Sequence, residues 1–203
     1  MATRIEFAQG SLTEGTETVL INAGNTNAAL GSGVSGAIRR ACGPQYQSQI
    51  LEELKVKFGG PMAPGEVLMT HAGTHPTAKW VAHVAVMDYR HGMGPQSFPT
   101  LETIEKACLK LWPALEELPG AEKLSVAMVA LGAGTGDLGV AQPTRIAAET
   151  LSAHLQLQGS RTRLERVRFY GYLTHELLPI AEALVKVFPE VKPTLPADLQ
   201  RLL

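Results

Sequence analysis

Apolar positions along the chain follow two periods, and the segments that carry them alternate. RIEFA (4–8) changes face at every residue, with Ile5 and Phe7 together, as a half-buried strand does. ETVLIN (17–22), GEVLMTHA (65–72), WVAHVAVM (80–87), LSVAMVAL (124–131) and ERVRFYGY (165–172) are short apolar runs of the kind buried strands use, GEVLMTHA and WVAHVAVM separated by a turn around Pro76. Between them the spacing widens. From Gly36 onward Ile38, Cys42, Ile50, Leu51, Leu54 and Phe58 recur at helical intervals, with a break at Gly43 and Pro44. Leu101, Ile104, Cys108, Leu111 and Leu115 share one helical face, and Pro113 is expected to end or kink that helix. A further helix follows over 143–157 with Pro143 in its first turn, and another over 177–188. PEVKPTLPADLQRLL (189–203) reads as a Pro-broken tail, irregular over 191–203, behind one domain over 1–190.

Strands alternating with helices predict an α/β fold, a three-layer α-β-α sandwich around a mainly parallel mixed sheet. In such sheets ligands bind at the carboxyl ends of the strands. The composition adds bounds. With 203 residues, 45% of them apolar, the chain can fill one core, and 18 basic against 19 acidic residues leave a net charge of −1, so no global field recruits nucleic acid or a membrane. No apolar run is long enough to span a bilayer and the first ten residues lack the apolar core of a secretory signal, so a cytoplasmic monomer is expected. Cys42 and Cys108 lie in helical patterns and form no C-x-x-C pair, which makes them small core residues; no metal and no cofactor is expected.

Two glycine-rich segments carry the chemistry. NTNAALGSGVSGAIRRACGP (25–44) and GAGTGDLG (132–139) each follow an apolar strand and precede a helix, so both belong at the same sheet edge. Glycine lets backbone approach a ligand, and amides at a helix N-terminus point at an anion; two such loops together suit a diphosphate. Plain strand-to-helix turns would also be glycine-rich. Gly31, Gly33 and Gly36, and again Gly134, Gly136 and Gly139, spell the dinucleotide fingerprint, but the acid expected about 20 residues on falls inside a helix (Glu52, Glu53) or near Gln158. Neither segment has the Gly-Lys-Ser/Thr of a P-loop.

VLINAGNTNAALGSGVSGAIRRACGP (19–44) resembles, without a gap, the first ligand loop of macro domains. FAQGSLTE (7–14), TAKWVAHVAV (77–86) and VAMVALGAGTGDLG (126–139) are similar, in the same order, to that family's Gly-Asp-Ile segment, its Ala-Lys-Tyr-Val-Ile-His strand and its second phosphate loop, so the likeness covers about residues 4 to 175. The resemblance implies a macro domain over 1–190 that binds ADP-ribose, free or attached to a small molecule or protein. Gly31, Ser32, Gly33 and Val34 would offer amides to one side of the diphosphate, and Gly134, Thr135, Gly136 and Asp137, with Leu138 beside them, to the other. Asn25 would orient the distal ribose and is the one candidate catalytic residue. Asn22 is expected to hold the turn, Ser11 and Leu12 to meet adenine, and Tyr172 either to stack on the base or simply to pack; Phe169 and Tyr170 are expected in the core or on the sheet surface.

Two departures bear on chemistry. The family's adenine-reading acid is Ser11, a weaker acceptor than a carboxylate. The Asp that helps hydrolytic members activate water is Ser35, which without a neighbouring base cannot replace it. His83, with Asp88 and His91 after it, is a base in principle, although a lone His in an apolar strand is usually a bonded core residue. His71 and His75 lack metal-ligand spacing. Asp137 should turn from a diphosphate or cap the next helix. Binding, with weak hydrolysis of ADP-ribosyl esters or O-acetyl-ADP-ribose in which the substrate positions the water, is the resulting expectation. The alternative is a module for single-stranded RNA or another phosphate ligand, resting on IRR (38–40) and SRTRLERVR (160–168), whose arginines flank a strand as solvated residues do.

Overall fold

The computed structural model describes residues 2–203. Its six strands are β1 Arg4–Gln9, β2 Val19–Asn25, β3 Val67–His71, β4 Trp80–Met87, β5 Leu124–Val129 and β6 Leu164–Gly171, in the order β1-β6-β5-β2-β4-β3. All neighbours are parallel except β3 with β4, so the sheet is mixed and mainly parallel, as the alternating pattern requires. Helices α1 (Gly33–Cys42) and α2 (Tyr46–Phe58) pack on β2 and β3 over one face. On the other, α3 (Leu101–Glu116), α4 (Ala141–Gln158) and α5 (Thr174–Val187) form a continuous layer. The central runs VLI of β2, VAHVAV of β4 and VAMV of β5 are buried on both sides, which is why they lack polar alternation.

Among the boundaries that differ from the pattern, three have an identifiable cause. Helix α1 starts at Gly33, not Gly36, because Gly33 itself supplies the left-handed φ of +57° that turns the chain into the helix. Pro113 does not end α3, which runs on to Glu116; a ring placed within the last turn costs few helical bonds. The tail is not irregular: Pro189–Thr194 forms a 3-10 turn and Ala197–Leu202 a short helix, α6, both against α5, with Val191, Leu195 and Leu199 buried. Pro189 opens the first and Pro196 precedes the second, while Pro193 lies inside the 3-10 turn. Among the described residues no helix is long and apolar enough to cross a membrane.

The segment from Gly10 to Thr18 carries β1 across to β2 without an α-helix. It makes one 3-10 turn (Leu12–Glu14) and lies on the face that bears α1. Because β2 feeds α1 on one face and β5 feeds α4 on the other, a crevice opens at the carboxyl edge between these neighbouring strands.

Leu195→Ala should lower unfolding free energy by about 2–5 kcal/mol, the range for a truncated buried leucine. Urea denaturation checks this, and a loss near zero would show that the tail does not contribute to the core.

Candidate functional site

Asn25 ends β2 where the register with β4 shifts, and this irregularity aims its side chain into the first loop. Its Oδ1 accepts from the amides of Asn27 (3.1 Å) and Ala29 (3.2 Å), while Nδ2 donates to the Ala29 carbonyl (2.8 Å). From α2, Gln47 completes the work, with Oε1 accepting from Leu30 N (2.6 Å) and Nε2 donating to Ala28 O (3.1 Å). The loop is therefore wound around two amide side chains. Asn25, expected to meet the ribose, spends most of its hydrogen-bonding capacity on its own backbone; one N–H remains.

Beyond this winding the backbone is unspent. Ser32, the residue before α1, makes no side-chain cap, and the amides of Gly31, Ser32, Gly33 and Val34 donate to no group among the described residues. Gly31, Ser32 and Gly33 are exposed, and a Cβ on Gly31 would meet open space. These are donors at a helix N-terminus with nothing in front of them.

The second loop follows β5. Gly132 takes a φ of +77° and Asp137 one of +56°. The Asp137 amide is spent on Gly134 O (3.0 Å) and that of Leu138 on Gly132 O (3.2 Å), so Asp137 does not offer its amide as expected. The amides of Gly134, Thr135 and Gly136 have no acceptor among the described residues. The Asp137 residue is exposed, and Val140, the residue before α4, has no side-chain cap, so Asp137 does not cap that helix. Val34 and Leu138 are half-buried.

A third segment, not singled out in the sequence as a unit, joins the two loops. After β4, Tyr89 N donates to Thr26 Oγ1 (2.9 Å), Asn27 Nδ2 donates to Tyr89 O (3.3 Å), and Thr26 N donates to Met87 O (2.9 Å). At its far end Pro99 packs on the second loop: a Cβ on Gly136 would lie 2.7 Å from Pro99 Cγ and 2.5 Å from Gly132 O. Thr26, Gln47 and Pro99 carried no local sequence signal, since their partners are 17 to 63 residues away.

Three of the candidate bases are committed, while His91 is exposed. Ser35 is buried and donates to Asn22 Oδ1 (2.9 Å), so its hydroxyl points into the core and not at a ligand. Asn22, expected to hold the turn, instead donates through Nδ2 to His83 Nδ1 (3.1 Å). That leaves the imidazole proton on Nε2, within 3.1 Å of Tyr46 Oη and 3.2 Å of Thr70 Oγ1. Burial pushes the His83 pKa down to about 3, so the ring is neutral. Asp88 is clasped by Arg90 through Nε (2.9 Å) and Nη2 (2.7 Å), and those bonds hold its carboxyl down at about 2.

At the other end of the crevice, Gly10 N donates to Gly171 O (2.9 Å) and places Ser11 beside Tyr172. Ser11 Oγ pairs with Thr13 Oγ1 (2.8 Å), Leu12 is buried, and Tyr172 is 69% exposed just past β6. Phe169 and Tyr170 are buried, in the core and not on the sheet surface. So are both cysteines, whose thiols burial raises to about 12. The arginines of 160–168 are not a free basic run: Arg163 bonds the Leu118 and Glu116 carbonyls, and Arg166 and Arg168 turn onto Glu17.

A cleft of about 520 Å³ opens at the opposite, amino edge, lined by Cys42, Tyr46, Glu52, Glu53, His71 and Thr74. Burial raises the Glu53 carboxyl there, and two acidic side chains make it a poor place for a diphosphate. Among the described residues no group of three His, Cys, Asp or Glu side chains could hold a metal ion.

With this geometry in place, comparisons are informative. The family model described as Macro domain matches residues 21–147. An O-acetyl-ADP-ribose deacetylase of Enterobacter sp. (strain 638) is 34% identical over 175 residues, covering 85% of this chain and 88% of that protein. Among solved structures, the Oceanobacillus iheyensis macrodomain with ADP superposes with a TM-score of 0.70 at 19% identity, over 91% of this chain and 92% of that one. The Trypanosoma brucei macrodomain in complex with ADP-ribose gives 0.69 at 22%, over 87% and 67%. The two structures speak for the fold.

Because the folded pKa of His83 lies below the unfolded value near 6.5, its contribution is complete above that value and is lost as pH falls toward 3, by about 1.4 kcal/mol per unit. Urea denaturation at pH 7 and pH 5 should show this slope, and it should flatten in His83→Gln. An equal slope in both proteins would contradict a neutral buried His83.

Proposed function

The chain belongs to the macro domain family, and on that premise we propose that it binds ADP-ribose, or a small molecule or protein bearing it, between its two glycine loops. The observation that carries this is the pair of uncapped amide sets, Gly31 to Val34 and Gly134 to Gly136, on loops that follow adjacent strands. A diphosphate has oxygens on both flanks for such donors, which need no side-chain charge to bind it. That suits a chain of net charge −1. In this reading Tyr172 lies under the base, Ser11 at its edge, and the remaining Asn25 N–H toward the distal ribose.

Hydrolysis of an ADP-ribosyl ester or O-acetyl-ADP-ribose is a second reading, favoured by the deacetylase relative. Ser35 donates inward, His83 is neutral and enclosed, and Asp88 is ion-paired, so turnover would rest on the orientation of substrate and water and would be slow. The binding role needs none of these groups to be free. Acetate release from O-acetyl-ADP-ribose that Asn25→Ala abolishes would establish the enzyme; binding without release would leave a reader.

Gly31 and Gly134 have ordinary φ values and open space where a Cβ would stand. Gly31→Val and Gly134→Val should therefore leave stability within about 0.5 kcal/mol, as for surface changes, yet fill the diphosphate's place. Calorimetric titration should show ADP-ribose affinity falling more than about tenfold, a loss above 1.4 kcal/mol. Unchanged affinity in both variants would sink the assignment.

A further inference from the structure

The most heavily buried charge in the structure lies outside the crevice and has no part in the function above. Where Gly10–Thr18 crosses the sheet, the face of β6 presents Arg166, Arg168 and Tyr170. Glu17, with 0% exposure, descends onto them. Its Oε1 lies 2.8 Å from Arg168 Nη1 and 3.3 Å from Arg166 Nη2, and its Oε2 accepts from Tyr170 Oη at 2.9 Å. Arg168 also donates to Glu6 Oε2 through Nε (2.9 Å) and Nη2 (2.6 Å). Two cations and two anions balance. Gly15 completes the fit, since a Cβ there would stand 2.1 Å from Glu17 Oε2 and 2.3 Å from Tyr170 Oη.

Such a cluster is an expensive way to hold a segment down. Taking carboxylates and guanidinium groups out of water costs free energy that their attraction barely returns, and apolar side chains of similar volume would hold as well or better. What the cluster adds is a directed placement. An apolar contact tolerates sliding by an ångström; a carboxylate that accepts a phenol's hydrogen bond at Oε2 and sits between two guanidinium groups at Oε1, as ion pairs without hydrogen-bond geometry, moves less freely. The segment so fixed is the one that carries Ser11 and Leu12 to the base end of the crevice. It has no α-helix to hold its register, and on its outer side it takes bonds from His75 Nε2 to Thr13 O (3.1 Å) and from Thr77 Oγ1 to Gly15 O (3.2 Å).

We propose that Glu17 is a positioning residue for ligand binding: its buried contacts with Arg166, Arg168 and Tyr170 set the place of Ser11 and Leu12 against the base, from the far side of the segment. This rests on the ADP-ribose reading of the crevice. Glu17 touches no ligand itself, so its effect should appear at the base end alone.

The test uses the ¹⁵N-labelled full chain, parent and Glu17→Gln, titrated with ADP-ribose, reading amide shifts at Gly10 to Leu12 and at Gly33 and Gly136. In the parent both groups should shift. In Glu17→Gln the shifts at Gly33 and Gly136 should persist while those at Gly10 to Leu12 shrink at least twofold, with affinity about tenfold weaker. A role confined to stability would lower the melting temperature and leave the pattern of shifts unchanged, and that result overturns the proposal. Tyr170→Phe removes one bond and no charge, and should show the same pattern in weaker form; it decides the matter if Glu17→Gln does not fold. No shift at either place in the parent would overturn the ADP-ribose reading and this inference together, whereas normal shifts in every protein would overturn this inference alone.

Discussion

A loop that offers its amides to a ligand must have its other backbone groups satisfied from elsewhere, and Asn25 is where this chain meets that demand. Its single amide group closes the turn from Asn27 to Ala29, and Gln47 closes the remainder at Ala28 and Leu30. With the turn made by side chains, the next four amides are left without internal partners. The second loop solves the same problem differently: its own carbonyls, on Gly132 and Gly134, take the amides of Leu138 and Asp137. Glycine at 136 lets Pro99 and Gly132 come close enough to hold it. Thus the chain from Asp88 to Pro99, bonded to one loop and packed on the other, fixes the width of the crevice.

The same economy bears on chemistry. Apart from the exposed His91, the positions where a base could stand have been absorbed into structure. Ser35, Asn22, His83, Tyr46 and Thr70 form one buried polar chain from the start of α1 to the sheet, each member bonded to the next. Such a chain is stable when complete and costly when broken. It makes the first loop rigid and leaves its hydroxyl and imidazole without access to a bound molecule.

Much of this was legible in the sequence. Alternation marked β1, short apolar runs marked the other five strands, and the two glycine segments marked the working edge, because these signals arise from residues close together in the chain. What could not be read depended on distant partners. The task expected of Asn22 falls to Asn25: Asn22 faces α1 and His83, while Asn25 winds its own turn, and the irregular pairing after Gly24 decides which does which. Gln47 looks like any exposed helical residue until α2 is laid beside the loop. Arg166 and Arg168 read as a solvated basic stretch; the segment that buries them lies 150 residues earlier. The tail was misjudged for another reason, since proline starts short helices as readily as it ends them.

The most direct measurement of the central claim is a crystal structure of the chain with ADP-ribose. The account predicts diphosphate oxygens within about 2.7–3.2 Å of amide nitrogens in both Gly31–Val34 and Gly134–Gly136, ordinary hydrogen-bond distances, with the turn around Asn25 unchanged. Phosphates placed against side chains at the amino-edge cleft, or a first loop that must unwind from Asn25 to admit them, would contradict it.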